Sequence, residues 1–188
     1  MQTSAARAGL YERLVRERWG DLDERVRSLH ACGRATGKFA VRRGEGRVAR
    51  VVARLLGLPL AGEAVPLLLT VTPEATGGER WRRAFDGRDF VTVQSEHAGS
   101  LLAERTGPFE LLFRLTVEGG ALAYRREGAA LRAGRLRLRL PRSLAPSVEA
   151  LERADGRGVR VSVRVTAPLV GLLIEYEGLV RMEEENAG

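Results

Sequence analysis

Two hydrophobic periods divide the chain. Up to about residue 60, apolar side chains recur at spacings of three and four, one face of a helix. Beyond it they recur every second residue, one face of a strand. Residues 8–18 predict a first helix on Leu10, Leu14 and Val15, ended by Trp19-Gly20. Asp21 as N-cap, with Glu24 three positions on, predicts a second helix over about 22–31 carrying Leu22, Val26 and Leu29 and closed by Gly33. Residues 34–41 read as a strand and Gly44-Glu45-Gly46 as a turn. The clearest helical pattern covers 47–56, where Val48, Val51, Val52, Leu55 and Leu56 share a face and Gly57 and Pro59 stop the run.

After residue 60 the alternation is sustained. Val65, Leu67, Leu69 and Val71 open it. Residues 79–85 and 90–96 form a hairpin around Asp86-Gly87. A short strand over 101–105 comes next, then 109–117 with Phe109, Leu111, Phe113, Leu115 and Val117 in strict alternation. Strands beginning near Leu122, near Leu136, at Ser147, at Val159 and at Leu172 complete the series. About nine strands at hairpin spacing, with no helix between them, predict an antiparallel sheet. A sheet that long curls or closes. The expected fold is therefore α+β, mainly β: a strongly curved antiparallel sheet or open barrel with the N-terminal helices packed on it or plugging it. The rival is a helix-grip fold with segment 47–56 as the gripping helix. The chain reads as one domain over 1–188: a helical leader with one strand (1–60), the sheet (61–182) and an acidic flexible tail (183–188).

Composition narrows the class. The 188 residues are 44% apolar and 29% charged, enough for a buried core. The longest uncharged runs, 64–73 and 165–174, fall well short of the ~20 residues of a membrane span. No apolar run marks a signal peptide, so the expectation is a soluble cytoplasmic protein. A single cysteine, Cys32, rules out a disulfide framework and reads as a small packing residue.

Charge is uneven. All of the net charge of +7 falls in residues 1–60, and residues 34–54 hold seven basic side chains against Glu45 alone. Lys38 is the one lysine. An arginine load this lopsided reflects GC-rich coding in part and argues against a nucleic-acid surface, where Arg and Lys mix. Arg43, Arg47, Arg50 and Arg54, spaced 4, 3 and 4, form a basic stripe opposite the valine–leucine face. That stripe suits an anionic membrane surface or an acidic protein. The plainer alternative is that the apolar face covers the sheet and the arginines are solvated.

Several local phrases carry a resemblance: Leu10-Tyr11-Glu12-Arg13-Leu14, Val26-Arg27-Ser28-Leu29-His30, the 50–59 segment ending Leu-Leu-Gly-Leu-Pro, Gly62-Glu63-Ala64-Val65-Pro66, Gly78-Glu79-Arg80-Trp81, Glu104-Arg105-Thr106-Gly107-Pro108 and Pro168-Leu169-Val170-Gly171-Leu172-Leu173. As a set the sequence resembles the bacterial domain-of-unknown-function 4166 family. The resemblance implies one compact domain and adds no catalytic residue. Members of that family joined to a nicotinamide-dependent, saccharopine-dehydrogenase-like domain imply an accessory role beside an oxidoreductase.

Motif chemistry is sparse. His30, Cys32 and His97 lack metal-ligand spacing, so no metal or other cofactor is expected. His30 fits the last turn of a helix, where a cation favours the dipole. Gly44-Glu45-Gly46-Arg47 lacks the features of a phosphate loop, and no nucleophile elbow occurs. For acid–base work the candidates are Glu96, His97, Glu104, Tyr124 and Tyr176. Six aromatic residues, Trp81, Phe85, Phe109, Phe113, Tyr124 and Tyr176, fall on the apolar faces of separate strands and would converge in a closed sheet. They either fill it or line a ligand cavity, with one or two inward arginines fixing an acidic head. Three readings follow. The leading one is non-enzymatic binding of an apolar or amphipathic small molecule. The others are a barrel-type isomerase, cyclase or hydrolase using His97, a carboxylate and a tyrosine, and an interaction module docking through helix 47–56.

Overall fold

The computed structural model describes residues 8–31 and 33–183, so Cys32 and most of the acidic tail (184–188) lie outside the described residues. The leader forms α1 (Leu10–Val15), a 3-10 turn (Arg16–Asp21) and α2 (Glu24–Leu29). Strand β1 (Gly33–Arg43) and helix α3 (Arg47–Leu55) follow. Ten more strands follow among the described residues: β2 (Gly62–Pro73), β3 (Glu79–Phe85), β4 (Arg88–His97), β5 (Leu101–Thr106), β6 (Phe109–Glu118), β7 (Ala121–Ala133), β8 (Leu136–Arg139), β9 (Ser147–Asp155), β10 (Gly158–Ala167) and β11 (Gly171–Met182).

Every strand pairing is antiparallel, and the sheet closes on itself. Going round the wall, β1 to β7 pair in sequence, then β7 with β9, β9 with β10, β10 with β11 and β11 back with β1. This is a ten-stranded up-and-down barrel. β8 is an extra strand on the far half of β7, pairing Ala130–Ala133 while Leu122–Arg125 pair with β9. The expected fold class stands, with eleven strands in place of about nine and full closure. The helix-grip rival is not realised: α3 lies against β1 and β11, outside the barrel.

The alternation puts mostly apolar residues inside and most charges outside. Outer-wall pairs such as Arg164–Glu175 and Arg160–Glu177 run between neighbouring strands. No helix among the described residues is long and apolar enough to cross a membrane.

One end of the barrel is plugged by the leader. Leu10, Tyr11, Leu14, Val26 and Leu29 are buried in the main core. Polar staples tie the plug to three turns of that end: Arg13 Nη2 donates to Gly77 O (2.7 Å), Asp23 N to Gly120 O (3.0 Å), and Arg25 Nη1 to Gly156 O. The first helix is shorter than its apolar pattern predicts, because the chain tightens into the 3-10 turn after Val15. The N-cap of α2 is Asp23, whose carboxylate accepts from Arg25 N at 2.9 Å, and not Asp21, which ends the 3-10 turn paired with Arg18. Gly33 is the first residue of β1 rather than a helix terminator; His30 takes the C-cap position.

Segment 47–56 is the helix its pattern predicts, turned the other way. The buried residues of α3 are Ala49 and Ala53, while Val48, Val51 and Leu55 are exposed. The reason is close approach. A Cβ at Gly44 would lie 2.9 Å from Ala49 Cβ and 1.9 Å from Leu172 O, so only a seam of small side chains fits against the β1–β11 wall. Arg43 belongs to β1, half-buried, and does not share the stripe with Arg47, Arg50 and Arg54, which are exposed on α3.

Candidate functional site

Inside the barrel is a cavity of about 140 Å3. The eight strands of a small barrel give an interior that side chains just fill, and the diameter grows with strand number; ten strands leave space. Its walls are mostly apolar. Phe39, Phe85 and Tyr176 meet edge to face with ring centres 5.5–5.9 Å apart, and Val161, Val163 and Val165 line one side. Leu58 and Pro59, which follow α3, line it at the end opposite the plug.

Of the six predicted aromatics, Trp81, Phe85, Phe113, Tyr124 and Tyr176 line this cavity. Phe109 opens β6, is half-buried, and is not among the lining residues. Among the acid–base candidates, Glu104, Tyr124 and Tyr176 line the cavity. Glu96 and His97, at the end of β4, instead face an outer groove with Arg13 and Arg105. The trio of His97, a carboxylate and a tyrosine is thus not assembled in the cavity. Among the described residues no group of three or more His, Cys, Asp or Glu side chains could hold a metal ion.

Most of the inward polar residues escape the sequence reading, and Arg83 is the chief of them. It points into the barrel: Nη1 donates to Thr92 Oγ1 at 2.9 Å, Nη2 lies 3.5 Å from Glu104 Oε1, and Cζ sits 5.0 Å from the centre of the Trp81 ring. Burial is the largest single influence and works against its charge, but Glu104 and the surrounding Tyr176, Tyr11 and Tyr124 together outweigh that cost and hold its pKa above the ordinary arginine value. The hydrogen bond to Thr92 leaves most of the five guanidinium donors unused, and neither Nε nor Nη2, which make no hydrogen bond, is fully buried.

A chain of polar contacts runs from this arginine back to the plug. Gln94 Nε2 donates to Glu104 Oε1 (3.3 Å), and Tyr11 OH to Gln94 Oε1 (2.8 Å). Tyr124 OH donates to Glu152 Oε1 (3.0 Å), and Glu152 Oε2 meets His30 Nε2 at 2.6 Å. The two tyrosine hydroxyls are 3.2 Å apart, each with its proton committed elsewhere. His30 stacks on Tyr11 with ring centres 3.7 Å apart. Burial, reinforced by the Glu152 carboxylate, raises the pKa of Tyr11 and Tyr124 well above that of a free tyrosine; burial also raises Tyr176, to about 12. All three are neutral donors at physiological pH. Chemically, the site offers an apolar sleeve, spare donors on Arg83 and a carboxylate, Glu104, beside them.

The alternation does carry a signal for these residues. Arg83 lies midway between Trp81 and Phe85, Thr92 and Gln94 continue the face of Phe90, and Glu104 shares the parity of Leu102.

Comparison with known proteins adds fold and family. No curated protein matches the sequence. A solved structure of a protein of unknown function from the DUF3598 family of Nostoc punctiforme superposes with a TM-score of 0.52 at 11% identity, covering 86% of this chain. The chain spans about half (49%) of that protein's length. At this identity the likeness concerns the fold alone. The family model described as "Domain of unknown function (DUF4166)" matches residues 22–180, nearly all of the barrel and the α2 part of the plug, and the chain belongs to that family.

Proposed function

We propose that the barrel binds a small amphipathic molecule, its apolar body in the aromatic–valine sleeve and an oxygen-bearing head accepting hydrogen bonds from Arg83. The observation that carries this is a charged arginine with spare donors on the wall of a mostly apolar cavity. Such a group is costly to bury without a reason. Packing alone would be served better by an apolar side chain of similar volume. Glu104, 3.5 Å away, neutralises the charge without using all its donors, so the pair also accepts an uncharged hydroxyl or carbonyl head. The sleeve is small, which suits a short chain or a single ring.

Octanoate and octan-1-ol separate the two head groups. Titration calorimetry is expected to detect binding of at least one. Arg83→Met should weaken that ligand by about tenfold or more, the value of a charge-assisted hydrogen bond. Native mass spectrometry of freshly purified protein should show a co-purifying small molecule. Binding of neither probe, or equal binding by Arg83→Met, would overturn the reading.

A further inference from the structure

The end of the barrel opposite the plug carries a surface that the core does not explain. On α3, Ala49 and Ala53 face the wall. With about 100° between successive residues, Val51 then points almost directly away from the barrel. Leu55 and Val48 flank it on one side; Arg47, Arg54 and Arg50 flank it on the other. Val51 is 58% exposed and Leu55 81%. Among the described residues, none of the three arginines has an acidic partner within ion-pair distance. Next to α3, the turn between β10 and β11 adds Leu169, fully exposed and held at φ +62°, a left-handed conformation that a leucine rarely adopts. This turn leads within three residues to Leu172, whose carbonyl lies against Gly44 beneath Ala49.

We propose that this face docks on an anionic lipid surface. The apolar side chains are exposed on a helix face and a turn, and none of them lines the barrel cavity or the grooves on the outer wall. A soft bilayer interface can admit each of them, whereas a protein partner would need a matching hollow. The unpaired arginines beside them match lipid phosphates, and Glu45 is the one acid in the stretch 34–54. The inference does not depend on what the cavity holds.

Co-sedimentation with vesicles tests it. The protein should bind phosphatidylcholine vesicles containing phosphatidylserine and not phosphatidylcholine alone, and added salt should weaken binding. Replacing Arg47, Arg50 and Arg54 together by Gln should weaken binding by about fivefold per arginine. Val51→Glu with Leu55→Glu should weaken it at least as much. Arg114→Gln with Arg125→Gln and Arg153→Gln, which removes the same charge from the outer wall, should stay close to wild type. Thermal unfolding of each variant confirms that it is folded. No binding to either vesicle, equal binding to both, or equal losses from the wall and α3 arginine variants would overturn the proposal, as would unchanged binding by the Val51/Leu55 variant.

Discussion

Burial sets the behaviour of single side chains inside the barrel, and the three tyrosines report on it most directly. Tyr11, Tyr124 and Tyr176 are this protein's whole tyrosine complement, and all three have raised pKa values, Tyr176 to about 12. Their folded values exceed the unfolded value near 10, so above that pH the unfolded chain gives up protons that the folded one keeps. Stability is unaffected below pH 10 and falls as pH rises through 10 towards 12. An ultraviolet titration should show no tyrosinate at pH 10 in the native protein, then a cooperative rise as it unfolds; a smooth transition centred near 10 would show the hydroxyls to be solvated. Arg83 teaches the complementary lesson about reading the sequence. Parity places it inside as firmly as Trp81 and Phe85, yet an arginine is ordinarily assigned to the solvent face. Nothing in the chemistry of one residue says that its partners, Thr92 and Glu104, wait on the next strands.

At the scale of elements, the strands follow their alternation closely, while two elements turn the face that looks apolar in sequence outward. In α3 the reason is the glycine–alanine seam. In β8 it is Glu110. That carboxylate is buried on β6, and Arg137 of β8 and Arg132 of β7 reach it at 2.5 and 2.7 Å, so Leu136 and Leu138 are left to solvent. Periodicity gives the two faces of an element but not which one its neighbours can accept; that depends on side chains far away in sequence. Burial, the largest single influence, would raise the Glu110 carboxyl, but the hydrogen bonds and charges of the two arginines together outweigh it and hold it below the usual glutamate range. This contribution to stability is present above the unfolded glutamate pKa and is lost as pH falls through the lowered folded value. Glu110→Gln is therefore expected to cost about 1–2 kcal/mol at neutral pH and to speed amide exchange across 136–139. The gap from wild type should close in acid. An equal gap at acid and neutral pH would show that the ion pairs do not hold β8.

Across the whole molecule, the seam between the first and last strands decides whether there is an enclosed cavity at all. Local pattern predicts β1 and β11 separately but not their register, since Phe39 meets Gly178 across nearly the length of the chain. Once the register is known, the glycine explains itself. A Cβ at Gly178 would lie 2.3 Å from Lys38 O and 2.5 Å from Phe39 Cγ, so the Phe39 ring covers the bare backbone at the seam. Phe39 in turn holds Phe85 and Tyr176 in the cavity wall. The seat of the Phe39 ring in the cavity wall thus depends on this close approach. Gly178→Ala should cost about 1–3 kcal/mol by overpacking and lower Tm by about 2–12 °C. By displacing Phe39, it should also weaken whatever ligand the sleeve binds. Gly128→Ala in β7 supplies the contrast, because its nearest neighbour would be Leu112 Cδ1 at 3.6 Å, an ordinary contact. It should leave ligand binding unchanged and Tm level or slightly raised, through a less flexible unfolded chain. Calorimetric melting of both variants, alone and with the bound probe, checks the pair; equal losses in both would mean that the seam has no special part in shaping the cavity.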